Sequence, residues 1–332
     1  MKNKKLILLL LIGALFVVSI FYLYRQQEEQ QSVVPQALRT PAIPQNVEHS
    51  ARIQINITAD DFSFPLQLPL LSATLKNISE NEALQIANNF SFSLSPNISK
   101  DVIEGTKYIW SNENFFLFIT PKISLVRYGA TLPDPPETIN KQLSNIELFE
   151  IASNFVSERL NVPLGNLKAD RVIPLVVSGA TEGFVESESS TADIYQVNLS
   201  YFESEFGTTS LEPNDAIIHV RVLPDGEIFS LEAQLLESLT PTNTFVAIKD
   251  YKEFVESAQE AEIILFDERL ELDSATGSQI TRLDFNRVEL LYLFNLLETN
   301  ILNPIFKITA EAAFSDNSTK ETILFLPATK SL

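Results

Sequence analysis

One sequence pattern occurs twice in this chain, and it limits the folds that the chain can adopt. Ser79–Phe90 (SENEALQIANNF) and Ser144–Phe155 (SNIELFEIASNF) both follow S-x-x-E-x-x-x-I-A-x-N-F, at an offset of 65 residues. A serine with a glutamate three residues later is a capping box, which satisfies free backbone N–H groups at a helix start. The apolar positions recur at i, i+3, i+4 and i+7, which is typical of one buried helix face. The repeat therefore predicts two similar helices in duplicated units.

A third, weaker copy begins at Asp250, with Glu253 at the glutamate position and Phe254 and Ala258 on the apolar face. Each helix start leads into sequence rich in β-branched and aromatic residues, which favours strands. A helix followed by an antiparallel meander, repeated along the chain, indicates the α+β class. The predicted strands are 107–110, 114–119, 123–128, 171–177, 194–202, 216–223, 227–232, 262–266, 279–285, 288–294, 304–312 and 322–326.

Residues 6–24 (LILLLLIGALFVVSIFYLY) form an uncharged apolar run that is long enough to cross a membrane as a helix. Lys2, Lys4 and Lys5 precede it and only Arg25 closely follows, so the positive-inside rule predicts a cytoplasmic N-terminus. A cleaved signal peptide is the alternative, but its apolar core is usually about 7–15 residues and ends at a small-x-small site. No such site follows this run. We therefore predict an uncleaved, single-pass signal anchor, with the lipid bilayer as the partner of residues 6–24.

The rest of the chain divides by composition. Residues 25–50 are rich in Gln and Pro and have no apolar period, which favours a flexible stalk. Thr131–Pro136 (TLPDPP) and Leu239–Asn243 (LTPTN) are the predicted joints between modules. The predicted fold class is α+β, with one N-terminal transmembrane helix followed by tandem modules of a helix packed on an antiparallel β-meander. The predicted domains are a cytoplasmic tail, the anchor, the stalk and three α+β modules, at residues 1–5, 6–24, 25–50, 51–138, 139–240 and 241–332.

Charge is distributed unevenly along the sequence. The chain has 43 acidic and 24 basic residues, a net charge of −19, and no acidic residue occurs before Glu28. Such an acidic body repels phosphate backbones, so we expect no nucleic-acid partner. The chain contains no cysteine, which excludes thiol catalysis, thiolate metal sites and disulfides. The charge pattern predicts a single-pass protein of the cell membrane whose bulk is extracytoplasmic.

The sequence contains no histidine or nucleophile motif that predicts a catalytic site. His49 falls in the stalk, and His219 falls in a predicted strand on the same face as Arg221. We interpret His219 as a solvated strand residue, because no triad partner or strained nucleophile turn is evident. Phosphate-binding loops of the G-x-x-x-x-G-K type are also missing.

Clustered carboxylates are the remaining candidates for a metal or acid–base site. They occur at Asp60-Asp61, Glu182–Glu188 and Phe266–Asp273, and none follows the calcium-loop pattern. An acid-rich, soluble surface accounts for them. We predict no catalytic, cofactor-binding or metal site, no cofactor and no enzyme activity.

Two further residue types bear on surfaces. Trp110 is predicted to lie in the core, because strand alternation gives it an inward face. An open sheet edge elsewhere would be able to recruit a peptide by β-augmentation, but the sequence identifies no such edge.

Six N-x-[ST] sequons give only weak evidence of glycosylation, at Asn56, Asn77, Asn89, Asn97, Asn198 and Asn317.

The order of several motifs resembles known modules. They are Ser79–Phe90 with Tyr108–Trp110, Ser144–Phe155, Val222–Leu231 (VLPDGEIFSL), Ile248–Glu253, and Leu302–Phe306 with Leu326–Ala328. Together they resemble PepSY-type modules and, over most of residues 51–332, the YycH/YycI family, whose members regulate a two-component sensor kinase from outside the membrane. The resemblance implies an anchored protein with extracytoplasmic modules, and it implies no catalytic residue.

These observations lead to one main function hypothesis and two alternatives. The main hypothesis is a membrane-anchored extracytoplasmic binding and regulatory protein, acting through protein–protein contacts on a sensor kinase or an envelope protease. The first alternative is a structural or assembly component of the cell envelope. The second is a carboxylate-dependent envelope hydrolase, which requires two carboxyl groups about 5–10 Å apart in a cleft. The predicted partner is an unidentified membrane or envelope protein.

Overall fold

The described part of the chain is built mainly from β-strands. The computed structural model describes residues 52–102, 105–130, 143–178, 183–187, 191–203, 206–210, 217–259, 264–265, 280–294 and 300–330. These residues belong to one compact unit, Val47–Leu332. They contain three α-helices: α1 (Glu80–Asn89), α2 (Asn145–Leu160) and α3 (Tyr251–Gln259).

Seventeen strands surround these helices in the same ranges. In chain order they are β1 (Arg52–Ile55), β2 (Gln67–Leu75), β3 (Asn97–Asp101), β4 (Gly105–Ser111), β5 (Phe115–Thr120), β6 (Leu125–Ala130), β7 (Leu167–Ser178), β8 (Gly183–Glu186), β9 (Ile194–Glu203), β10 (Phe206–Thr209), β11 (Ile218–Val222), β12 (Ile228–Gln234), β13 (Leu236–Ala247), β14 (Ile264–Leu265), β15 (Ile280–Leu293), β16 (Ile301–Phe314) and β17 (Thr319–Pro327).

Hydrogen bonding orders nine of these strands into one antiparallel group, β3-β4-β5-β6-β12-β11-β9-β7-β8. A second group runs β15-β16-β17-β14, and β1 and β10 pair with β15 in parallel. Strand β2 pairs with both β13 and β16, and β9 pairs with β10. The strands therefore form one large mixed network.

The predicted fold class, a transmembrane helix followed by tandem α+β modules, is wrong. A meander does follow α1, but β6 then pairs with β12, and β2 pairs with β13 and β16, so strands far apart in sequence share one network. Alternation in a sequence shows which face a strand buries, but it does not identify the partner strand. The segment Leu239–Asn243, interpreted as a joint, lies within β13.

Among the described residues, no helix combines the length and the apolar character needed to cross a membrane. The anchor and signal-anchor prediction concerns residues 6–24, and the stalk prediction concerns residues 25–50. Both segments lie outside the described residues, as does the predicted joint at Thr131–Pro136.

The capping boxes are confirmed at the first two helices. At α1, the Ser79 N–H donates to Glu82 Oε2 (2.9 Å) and the Glu82 N–H donates to Ser79 Oγ (3.3 Å). At α2, Ser144 and Glu147 make the same reciprocal pair at 2.8 and 3.3 Å. The sequence was sufficient to predict these capping boxes, because the two residues of each box lie within one helical turn.

The third helix start has the same arrangement. The Asp250 N–H donates to Glu253 Oε2 (2.8 Å), and the Glu253 N–H donates to Asp250 Oδ1 (3.0 Å). Phe254 and Ala258 are fully buried, as the apolar pattern predicts. All three predicted helix starts are therefore present.

The two repeat helices also bond to each other at their C-terminal ends. The Asn89 side chain donates from Nδ2 to the Arg159 carbonyl (3.0 Å), and the Arg159 guanidinium donates to the Asn89 carbonyl. Phe90 and Phe155 meet edge to face, with ring centroids 5.8 Å apart. Asn154, which occupies the position of Asn89 in the second copy, is exposed. The same asparagine position of the pattern is therefore hydrogen-bonded to the other helix in α1 and exposed in α2.

Three distant segments meet in a closed ring of hydrogen bonds. The Ser124 hydroxyl donates to the Lys76 carbonyl, the Lys76 N–H donates to the Leu235 carbonyl (3.0 Å), and the Leu235 N–H donates to the Ser124 carbonyl (2.8 Å). We call this ring the strand junction. Leu235 is the single residue between β12 and β13, so the junction lies where the chain leaves the nine-stranded group and pairs with β2.

A buried tyrosine reinforces the strand junction. The Tyr201 hydroxyl donates to the Gln234 carbonyl (3.1 Å) and accepts from the Leu236 N–H (3.3 Å). Burial raises the pKa of the Tyr201 phenol to about 12, so it stays protonated and keeps both roles at physiological pH. Gln234 adds a third bond, from its side-chain amide to the Ile123 carbonyl (3.1 Å).

The first prediction concerns the cap of α2. Ser144→Ala removes the acceptor for the Glu147 N–H, so we expect the free energy of unfolding to fall by about 1 kcal/mol. Ser153→Ala in the same helix is the control, since Ser153 donates only to the Phe149 carbonyl one turn earlier (2.6 Å). It should change stability by no more than about 0.5 kcal/mol. Urea unfolding measures both, and equal effects would contradict the capping role.

The second prediction concerns Ser124, which is buried and has φ 55° and ψ 32°, in the left-handed region. Ser124→Ala loses the hydroxyl but keeps a Cβ in that region, where a Cβ costs about 1–2 kcal/mol. Ser124→Gly loses both the hydroxyl and the Cβ, and it is relieved of that cost because glycine adopts positive φ readily. We expect the alanine variant to be the less stable of the two in thermal unfolding. The reverse order would show that the backbone conformation is not a constraint.

Candidate binding surface

Strand β3 forms an end of the nine-stranded group and is open to solvent. It pairs with β4, and it has no second strand partner in the described ranges. All five of its residues are exposed. An edge of this kind presents a row of backbone N–H and C=O groups to which another strand can hydrogen-bond.

Apolar side chains accompany this edge. Leu94, Ile98 and Val102 are 76%, 59% and 101% exposed, and we call these three residues the edge patch. Ile98 lies directly opposite Tyr108 on β4, and Val102 is in the turn directly after β3. The position of Leu94 is fixed by its carbonyl, which accepts a hydrogen bond from Trp110 Nε1 (2.8 Å). Trp110 itself is 3% exposed, which confirms its predicted core position.

Other strand edges are better protected. Strand β8, at the opposite end of the same group, has only four residues, and its Phe184 ring packs against the Arg221 guanidinium at 4.5 Å. Strand β13 contains Pro241, and its register with β2 shifts between Pro241 and Phe245. Short length, proline and irregular register are devices that block strand addition. Strand β3 has five residues in regular register with β4 and contains no proline, and Lys100 is its one protective side chain of the kind that guards edges, so we take it as the candidate contact edge.

His219 lies in a row of polar residues across the sheet. Arg127, Glu232, His219, Asn198 and Arg171 are successive register partners on β6, β12, β11, β9 and β7. Arg127 binds Glu232 through two bonds, Nε to Oε2 (2.8 Å) and Nη2 to Oε1 (3.0 Å). The interpretation of His219 as a solvated residue is wrong, since its side chain is 8% exposed. Strand alternation predicted its face correctly, but it carries no information about what covers that face.

A neighbouring row shares this buried polar network. Gln196 is 3% exposed, donates from Nε2 to Asn198 Oδ1 (3.1 Å) and accepts from Arg221 Nε (3.2 Å). Burial lowers the pKa of the Arg221 guanidinium from its usual value, and the Glu232 carboxylate opposes this shift. The guanidinium stays charged at neutral pH because its ordinary pKa is so high. Buried polar groups that satisfy one another in this way define a unique packing of the sheet face.

The carboxylate candidates are not brought together into a site. Asp61 accepts bonds from the Thr58 hydroxyl (2.6 Å) and N–H (3.2 Å), which lower the pKa of its exposed carboxyl group. Glu186 pairs with Arg171 at 3.5 Å. Residues 266–273 lie outside the described residues, as do Glu182 and Glu188 at the two ends of the other acidic stretch. In the ranges that are described, no three His, Asp or Glu side chains lie close enough to hold a metal ion.

Two sequons take part in packing. Asn198 is 1% exposed and lies in the middle of the sheet. Asn89 is engaged with Arg159 at the helix ends. Neither side chain is available as an exposed loop acceptor, which is where glycans attach.

Comparison with known proteins finds distant likeness among solved structures. No protein-family model matches the sequence, and no curated protein matches it. A solved structure of an uncharacterized protein from Eubacterium rectale aligns with 86% of this chain and 91% of its own, at 12% identity and a TM-score of 0.43.

The third prediction tests the polar network. Gln196→Leu withdraws one bond each from Asn198 and Arg221 inside the sheet face, so we expect a loss of about 2 kcal/mol in the free energy of unfolding. Gln54→Leu is the control, because Gln54 is exposed and its amide bonds only the exposed Asn56 side chain (3.0 Å). The control should lie within about 0.5 kcal/mol of the parent chain in urea unfolding. A neutral Gln196 variant would contradict a structural role for the network.

Proposed function

We propose that this protein is an extracytoplasmic binding and regulatory protein of the cell envelope that acts through protein–protein contacts. The observation that carries the proposal is the open edge of β3 with its edge patch. The contact is strand addition, in which an extended segment of a partner protein pairs with β3.

The chemistry of the edge defines the partner segment. Backbone N–H and C=O groups of β3 supply the affinity, and the edge patch contacts apolar side chains at alternate positions of the added strand. Lys100 and Asp101 on β3 add one charge of each sign. The partner is therefore a membrane or envelope protein with an exposed, extended and alternately apolar segment. The sensor kinases and proteases of the envelope are the partner classes that the motif resemblance implies.

The proposed location rests on the amino-acid sequence. Three lysines precede residues 6–24, whereas all 43 acidic residues follow that segment. This asymmetry supports a membrane-associated protein whose acidic body lies outside the cytoplasm.

The fourth prediction uses the absence of cysteine from the chain. Val102→Cys introduces a single thiol on a fully exposed residue of the edge patch. We expect a membrane-impermeant maleimide to label this thiol in intact cells, because the body lies outside the cytoplasm. We also expect a thiol-directed photo-cross-linker at this position to give one discrete adduct, identified by mass spectrometry.

Val185→Cys on β8 is the matched control, since Val185 is 47% exposed on the opposite edge of the same strand group. It should be labelled equally but should not give the adduct. Adding Ile98→Lys to the Val102→Cys chain should abolish the adduct, because a buried lysine opposes strand addition. Hydrogen exchange of this protein, purified together with the partner identified from the adduct, should show protection of the β3 backbone amides. Labelling only after cell lysis would contradict the location, and protection confined to β8 or β13 would contradict the edge.

A further inference from the structure

Lys100 places a positive charge on an edge that is otherwise open to strand addition. It lies opposite Thr106 on β4, and all five residues of β3 are exposed. Within the described part of the chain, no hydrogen bond or carboxylate engages the Lys100 ammonium group. A lysine on an edge strand opposes the addition of another strand, because pairing covers its charge. A strand that adds to β3 therefore has to accommodate this charge.

Lys100 shares one face of the sheet with Ile98, because side chains two positions apart on a strand point to the same face. Ile98 begins a cross-strand row that continues through Tyr108, Ile119 and Val126 on β4, β5 and β6. Ile119 and Val126 are fully buried in the core. An apolar side chain added opposite Ile98 would thus extend a row of the core outward.

The position opposite Lys100 on an added strand needs different chemistry. Directly opposite residues have Cβ atoms about 4.5–5.5 Å apart, so opposite charges there attract and like charges repel. A carboxylate would neutralise the ammonium group as the strand adds, whereas a lysine or arginine would place two cations side by side. An apolar side chain would cover the ammonium group without pairing it. A carboxylate is therefore the group that best allows strand addition here.

We propose that Lys100 selects partner segments in which an acidic residue lies two positions from an apolar residue. The apolar side chain lies opposite Ile98 and the carboxylate lies opposite Lys100, on one face of the added strand. The order along the partner is apolar–x–acidic for a parallel strand and acidic–x–apolar for an antiparallel strand. This inference rests on the proposed function, because it specifies the segment that adds to β3.

The net charge of the protein makes this selection distinguishable from a general electrostatic effect. The chain has a net charge of −19, so its long-range field repels acidic segments and attracts basic ones. A preference for an acidic segment is therefore opposite in sign to the preference expected from net charge. Such a preference indicates a local contact with a cation.

The fifth prediction uses three blocked peptides, Thr-X-Thr-Val-Thr-X-Thr, in which X is Glu, Gln or Lys. The sequence reads the same in both directions, so it offers the proposed pattern to β3 in either orientation. Hydrogen exchange of the β3 amides in the full chain, measured against peptide concentration, gives the affinity and the location together. We expect the Glu peptide to bind about fivefold more tightly than the Lys peptide, with the Gln peptide between them.

Two variants of the full chain test whether Lys100 is the cation responsible. Lys100→Glu should reverse the order of the peptides, because the Lys peptide then supplies the opposite charge. Lys252→Glu is the matched control, since it makes the same change of net charge at a side chain that is 84% exposed on α3. It should keep the original order. Thermal unfolding of both variants should match that of the parent chain, because both side chains are exposed.

The outcomes separate this inference from the proposed function. Equal protection of β3 by the three peptides would overturn selection by Lys100 but would still support strand addition. No protection by any peptide would also overturn the inference, and the adduct at Val102→Cys then decides the proposed function separately. Reversal of the order by Lys252→Glu would assign the preference to net charge, which would overturn the inference as well.

Discussion

The strand junction is the interaction on which the rest of this structure depends. Its three hydrogen bonds join residues that lie 48 or more positions apart, and each segment supplies both a donor and an acceptor. Leu235 at its centre is the only residue between β12 and β13. The ring lies directly beside Leu236 and Leu75, the first register partners of β13 and β2, so it supports the point where that pairing begins. A buried serine in the left-handed conformation and a buried tyrosine therefore determine how the two parts of the sheet network join.

Features that depend on neighbouring residues could be predicted from the sequence, whereas features that depend on contacts between distant residues could not. The three helix starts were predictable, because a capping box and an apolar face are complete within about two turns. Most strands were also predictable from alternation. Pairing was not, because β2 finds its partners in β13 and β16, far away in the chain. The predicted strands 279–285 and 288–294 are one strand, β15, interrupted only by an irregularity between Phe285 and Arg287.

The sequence did not identify the β3 edge or the burial of His219, because both depend on contacts between distant segments. Strand β3 (NISKD) has a polar, unremarkable composition, and only its register with β4 makes it a strand. Conversely, His219 was noticed as a rare residue, but its burial depends on neighbours from other strands. A residue type identifies possible chemistry, whereas only tertiary packing brings the partners to it.

The exchanged bonds between Asn89 and Arg159 have a consequence for the two helices that share the repeated pattern. Each repeat helix ends by satisfying a carbonyl of the other, so the copies are no longer interchangeable. Deleting either copy would strand a backbone acceptor in the survivor, and exchanging them would leave Asn154 in the place of Asn89 without its counterpart. The shared pattern therefore specifies two similar helix starts, whereas the helix ends join α1 and α2 into a pair that neither segment can form alone.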